Sequence, residues 1–269
     1  MYNVKHYIYP GETETRIYSR CYEIGKPARR DAEPIETTEN PFTGEACEVI
    51  NDFEEWERKK ERSMAVSRNR AINNIYNLTR CNEWAWFVTI TFDPNKVDSM
   101  DYGEVTRKLS KWLNHLKEDD AGLKYLFVPE RHKSGAFHFH GLLSSSAALQ
   151  MVYSGHDTKS GDPIYNIGRY KFGWTTATEV HNNEAVTKYI TKYVTKDLMT
   201  AIKGKKHFWA SRNLSRPEEV KEFLEPIDRL SLETELEDRD ADYKMVIVEQ
   251  GLKKETISYY RYKTDEGKG

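Results

Sequence analysis

From Trp84 to Phe92 the chain reads WAWFVTITF, an aromatic and β-branched run stopped by Asp93-Pro94, and it predicts a buried strand. The period then changes. In DYGEVTRKLSKWLNHLKEDD, residues Val105, Leu109, Trp112, Leu113 and Leu116 recur at helical spacing and predict one amphipathic helix. LKYLFVPE and AFHFHGLLS return to strand patterning, joined by RHKSG, whose Ser134-Gly135 pair marks a turn. Residues 144–174 form a Ser- and Gly-rich excursion with a hairpin-like turn at HDTKSGDP. WTTATEV reads as a further strand, and NNEAVTKYITKYVTKDLM as a helix opening at Asn182 or Asn183. The order strand, helix, strand, strand, strand, helix predicts an α+β domain on one antiparallel sheet, over residues 67–215.

The flanks are less regular. In residues 1–66, VKHYIYP and TRIYSRCYEI alternate like edge strands, and KPARRDAEPIETTENPFTGEA reads as a loop or linker. A long helix follows an Asn51/Asp52 cap signal and brings Ile72, Ile75, Tyr76 and Leu78 near one face. Residues 216–269 are treated as an acidic appendage. Between Pro217 and Tyr243 there are 11 Asp/Glu against 3 Lys/Arg, read as helical, and YKMVIVEQGL reads as a late strand.

Composition narrows the function classes. The formal net charge is −2 over 269 residues, so any polyanion-binding surface must come from the distribution of charge. Cys21, Cys47 and Cys81 lie far apart and form no CxxC pair, which argues against a thiolate zinc site or a disulfide framework. The N-terminus lacks the apolar core of a signal peptide, and no segment approaches the ~20 apolar residues of a membrane span. A cytoplasmic protein with no membrane partner is expected. No GxxxxGK[ST] frame occurs, so no nucleotide partner is expected either.

Candidate chemistry starts at His138 and His140. Two positions apart on a strand, both imidazoles point the same way. Two such rings can hold a divalent cation from one side, and a hard cation also needs oxygen. Glu130 ends the preceding strand eight positions before His138, and pairing without a bulge places it on the same face. Two histidines, one carboxylate and open positions suit Mg²⁺ or Mn²⁺ acting on a phosphate. A half-exposed sheet face is the bland alternative for the histidines alone.

In VTKYITKYVTK, Val186, Ile190 and Val194 form an apolar stripe, with Tyr189 and Tyr193 beside it and Lys188, Lys192 and Lys196 next. Two phenols thus lie between a buried edge and a row of cations. An ordinary amphipathic helix explains this pattern too. Joined to a metal site, however, a phenol flanked by ammonium groups suits attack on a phosphodiester. From Lys188 to Arg212 there are seven Lys/Arg (the last four Lys203, Lys205, Lys206 and Arg212) against one acid, Asp197. Phe208 and Trp209 stand among them. Cations match phosphates and aromatics stack on unpaired bases, although Trp209 packing in a core is an equal alternative.

FVTITF, VPERHKSGAFHFHGLL and YITKYVTKD, in this order, resemble the three motifs of HUH endonucleases. More closely they resemble the rolling-circle replication-associated proteins of small phages and plasmids, akin to the filamentous-phage gene II protein group. The resemblance implies a central antiparallel sheet of about five strands with helices on one side, HUH/RRM-like, carrying the metal site on its face. It implies nicking and rejoining of single-stranded DNA at an origin, with a hairpin there, through a 5′-phosphotyrosine that leaves a free 3′-OH. His138, His140 and Glu130 would be the metal ligands and Tyr189 or Tyr193 the nucleophile, with Lys192 and Lys196 each three positions after a tyrosine. Of the two, Tyr193 is favoured for the first cleavage, because the basic segment lies just beyond it. The first motif offers no catalytic side chain. A host helicase and polymerase would be partners, in a bacterial cytoplasm. Two other readings remain: an HUH transposase or relaxase, and a non-catalytic RRM-like single-strand-binding protein.

Overall fold

A computed structural model describes residues 1–24, 37–39, 46–48, 53–202, 204–250 and 253–264. In chain order the strands and helices are β1 Tyr2–Tyr9, β2 Glu12–Tyr22, β3 Thr37–Glu39, β4 Ala46–Glu48, α1 Phe53–Arg80, β5 Trp86–Phe92 and α2 Tyr102–Asp119. Then come β6 Tyr125–Arg131, β7 Phe137–Leu143, β8 Met151–Asp157, β9 Pro163–Ile167 and β10 Gly173–Glu179. Next are α3 Asn183–Thr191, α4 Lys196–Ala201, β11 Trp209–Ala210, β12 Glu218–Glu222, α5 Pro226–Asp238, β13 Asp242–Gln250 and β14 Lys253–Lys263. The cap signal at Asn51 and Asp52 lies outside the described residues.

Residues 61–216 form one unit, and 1–60 together with 217–269 form another. The inner unit is an α+β fold on a seven-stranded sheet ordered β11-β6-β7-β5-β10-β9-β8. All its pairings are antiparallel. The sheet exceeds the expected five strands because the β8–β9 hairpin at HDTKSGDP and the short β11 add three strands to β5, β6, β7 and β10.

Helices cover both faces of this sheet, not one side as the sequence suggests. On the first face Val88, Ile90, Phe127, Phe139 and Leu143 pack with Val105, Leu109, Trp112, Leu113 and Leu116 of α2. On the second, Leu126, Val128 and Leu142 pack with Ala71, Ile75 and Leu78 of α1 and Val186 and Ile190 of α3. Strand alternation explains the split: β6 and β7 are apolar on both faces along part of their length, so both faces need cover. Gly141 marks a tight approach. A Cβ there would fall 2.2 Å from the Phe127 ring, which fills the space above it.

The outer unit is a five-stranded sheet ordered β12-β1-β2-β14-β13, with α5 adding Leu236 to a core of Val4, Ile17 and Tyr260. β1 and β2 are therefore interior strands, not edges: β12 flanks β1 and β14 flanks β2. Their partners lie more than 200 positions away, in the segment read as an acidic helical appendage, where α5 is helical but Glu218–Glu222 is a strand. Pairing compensates for the poor strand propensity of EEVKE. No described helix is long and apolar enough to cross a membrane.

Candidate active site

The register of the inner sheet sets out the second face as rows. Glu130 of β6 stands opposite His138 of β7, and Val128 opposite His140. On the other side of β7, His140 faces Thr89 of β5, and His138 is bonded to Thr91. Past β5, Thr91 pairs with Trp174 and Thr89 with Thr176 of β10. The first row thus reads Glu130, His138, Thr91, Trp174, and the second Val128, His140, Thr89, Thr176. The third row, Leu126, Leu142 and Phe87, belongs to the core beneath α3. The polar site continues a hydrophobic face at the point where the helical cover stops.

Each imidazole is oriented by its neighbours. Thr91 Oγ1 lies 3.2 Å from His138 Nδ1 and Thr89 Oγ1 3.1 Å from His140 Nδ1. Glu130 reaches diagonally, and its Oε2 is 2.7 Å from His140 Nε2. Burial depresses both imidazole pKa values, and the Glu130 charge only partly opposes this. In the neutral ring that this direction favours, one tautomer serves both contacts: Nε2–H donates to Glu130 and Nδ1 accepts from Thr89. His138 directs its Nε2 side away from Thr91. His132 is near, its ring 5.6 Å from that of His138, but its Nδ1 is engaged by Ser134.

As donors the site offers two imidazoles contacted at Nδ1 and one carboxylate, kinds of group that divalent cations take. Among the described residues, no three His, Cys, Asp or Glu are arranged to hold an ion as the side chains stand.

The tyrosines arrive on a broken helix. Asn182 caps α3, its side chain accepting from Ala185 N–H. The single helix expected through Met199 stops at Thr191, and Lys192 and Tyr193 form a tight turn, with Lys192 N–H bonding Tyr189 O. Thr195 then caps α4 by accepting from Leu198 N–H. Tyr193 therefore leaves the helical stripe and lies flat on His140, with ring centroids 3.6 Å apart and planes 11° apart. Tyr189 meets Tyr193 edge-on at 5.5 Å, packs against Phe87, and is 45% exposed. Burial first, then a hydrogen bond with Tyr189, push the Tyr193 phenol well above the ordinary tyrosine pKa. Lys192 Nζ lies 5.5 Å from the Tyr189 ring centre.

Residues 85–198 match the sequence profile of the replication-associated protein family that unites ORF2 and gene II proteins. This part of the chain is similar to that family. No curated protein and no solved structure matches the chain. The replication-associated segment contains every group just described, from Thr89 to Tyr193, and ends at Leu198, before most of the basic stretch.

That stretch does not converge on the histidines. Lys188 is exposed and paired with Glu184. Lys205 and Lys206 lie over the rings of Tyr102 and Trp209; Lys206 and Arg212 line two clefts of about 410 and 540 Å³, and Lys205 lines the smaller one. Trp209 is 7% exposed, locked against Tyr102 and Phe139, and Phe208 packs against the second core. Trp209 offers no free face to a base, which corrects the stacking role read for it from the sequence, whereas Phe208 is half-buried and lines the smaller of the two clefts. Lys203 and the Lys196 side chain lie outside the described residues. In the replication-associated segment, sequence reasoning missed Thr89 and Thr91. The signal was present, because TIT alternates in step with HFH.

Proposed function

We propose that the chain initiates rolling-circle replication by nicking and rejoining single-stranded DNA at an origin. The carrying observation is that Tyr193 lies face to face with His140, beside Glu130, within the family-matching segment. Glu130, His138 and His140 would hold Mg²⁺ or Mn²⁺. When bound, the ion would supply positive charge to the phosphoryl oxygens and offset Glu130.

The protein's own groups do the rest. Tyr193 Oη attacks the scissile phosphorus, the bond to the 3′ oxygen breaks, and a 5′-phosphotyrosine and a 3′-OH result. Tyr189, hydrogen-bonded to Tyr193 and half-exposed, is the route for the phenolic proton to solvent. Lys192 places a cation beside the pair. One phosphodiester bond replaces another, so the step needs no ATP. Rejoining is the same exchange in reverse.

The test is a denaturing gel of protein with labelled single-stranded DNA and Mn²⁺. A covalent adduct is expected with the wild type, and none with EDTA or with His138→Ala or His140→Ala. A protein that binds the strand tightly but never forms an adduct is a binding module instead.

A further inference from the structure

Past β5 the histidine face of the sheet is open. Trp174 is 59% exposed, Thr176 is exposed, and Val152 on the outlying β8 is 56% exposed. A single exposed apolar residue is ordinary on a protein surface. Trp174 stands out by position. It is the fourth member of the row Glu130, His138, Thr91, Trp174, and Thr91, directly opposite it, holds His138 Nδ1. One strand separates Trp174 from His138, so their backbones are roughly 10 Å apart. No ring partner covers it among the described residues.

The backbone beneath it is fixed. A Cβ at Gly173 would fall 2.2 Å from Thr91 O and 2.6 Å from Asp93 N, so only glycine lets β10 approach β5 this closely. Asp93 N–H closes the same corner by donating to Phe172 O at 2.9 Å. The indole is thus mounted on a closely held strand beside the histidines and is exposed.

We propose that Trp174 stacks on a nucleobase of the single strand next to the phosphate at His138, His140 and Tyr193. This rests on the nickase reading and adds the residue that holds the flanking nucleotide. An indole can stack only on an unpaired base, so the contact favours single over double strands. It tolerates any base, because each has a π-face. It also supplies the aromatic surface that the buried Trp209 does not.

The experiment compares wild type, Trp174→Ala and Trp174→Phe for binding to labelled oligothymidine and to an abasic strand of equal length, with the Tyr–DNA adduct read separately on a denaturing gel. Trp174→Ala is expected to lose affinity for oligothymidine on the order of tenfold or more, with little loss on the abasic strand. Trp174→Phe is expected to recover most of it. Equal loss on both strands, no loss on either, or a wild type that binds neither overturns the proposal. A wild type that binds oligothymidine but forms no adduct with single-stranded DNA carrying the origin defeats the nickase reading, and the ratio of the two Trp174→Ala losses still decides the platform.

Discussion

At His138 and His140, ring orientation is set by β5, a strand with no ionisable side chain. Thr89 and Thr91 occupy the Nδ1 positions and leave Nε2 of each ring on the outer side. Partners of this kind usually govern metal affinity by about 10- to 100-fold. Thr89→Val and Thr91→Val keep the shape and remove the hydroxyl. Each is expected to raise the Mn²⁺ concentration for half-maximal adduct formation by about 10- to 100-fold, with activity recovered at high Mn²⁺. A metal titration of adduct yield checks this, and unchanged half-saturation would deny the threonines a role. Much of this site was legible in the sequence, because strand alternation fixes which residues share a face. HxH, the even offset to Glu130 and TxT follow the same rule. Trp174 follows it too, but its neighbourhood depends on which strand pairs with β5, and WTTATEV alone does not reveal that.

At the scale of elements, the four-residue repeat in VTKYITKYVTK continues past the point where the helix stops. Local pattern therefore could not locate the break. The signal lies at Thr195, an N-cap that starts a second helix and makes the chain turn at Lys192 and Tyr193. The turn separates the two phenols. Tyr193 sits on His140, and Tyr189 remains on the helix edge. Tyr193→Phe is therefore expected to abolish the first covalent adduct, whereas Tyr189→Phe slows its formation and keeps it. Peptide mapping of the wild-type adduct should find DNA on Tyr193, and DNA on Tyr189 alone would reverse the roles. A second element-scale constraint is Gly141, under the Phe127 ring. Gly141→Ala forces the ring or β7 to move and is expected to cost about 1–3 kcal/mol. Chemical denaturation measures it, and loss of adduct formation should follow because His140 is the adjacent residue.

At the scale of the molecule, the site draws on β5, β6, β7 and the turn after α3, all within 61–216. The ends of this unit are tied together: Asn82 Nδ2 donates to Ser215 O at 3.0 Å, and Ser215 N–H donates to Asn82 Oδ1. A fragment of residues 61–216 is expected to fold cooperatively and to form the adduct. Circular dichroism melting and the gel assay test both halves of that statement, and a fragment that folds without activity would assign the outer unit a part in the chemistry. The pairing of chain ends in the outer sheet was not legible, because strands separated by more than 200 positions leave no joint pattern in either segment. That nesting has a consequence in time. On the ribosome β1 and β2 emerge before the inner unit, yet β12 and β14, which flank them, emerge after it. The inner unit is complete before the outer sheet can close, so residues 61–216 fold early while two strands wait. Pulse-labelled hydrogen exchange during refolding should accordingly protect Val128 and Phe139 amides before those of Val4 and Ile17.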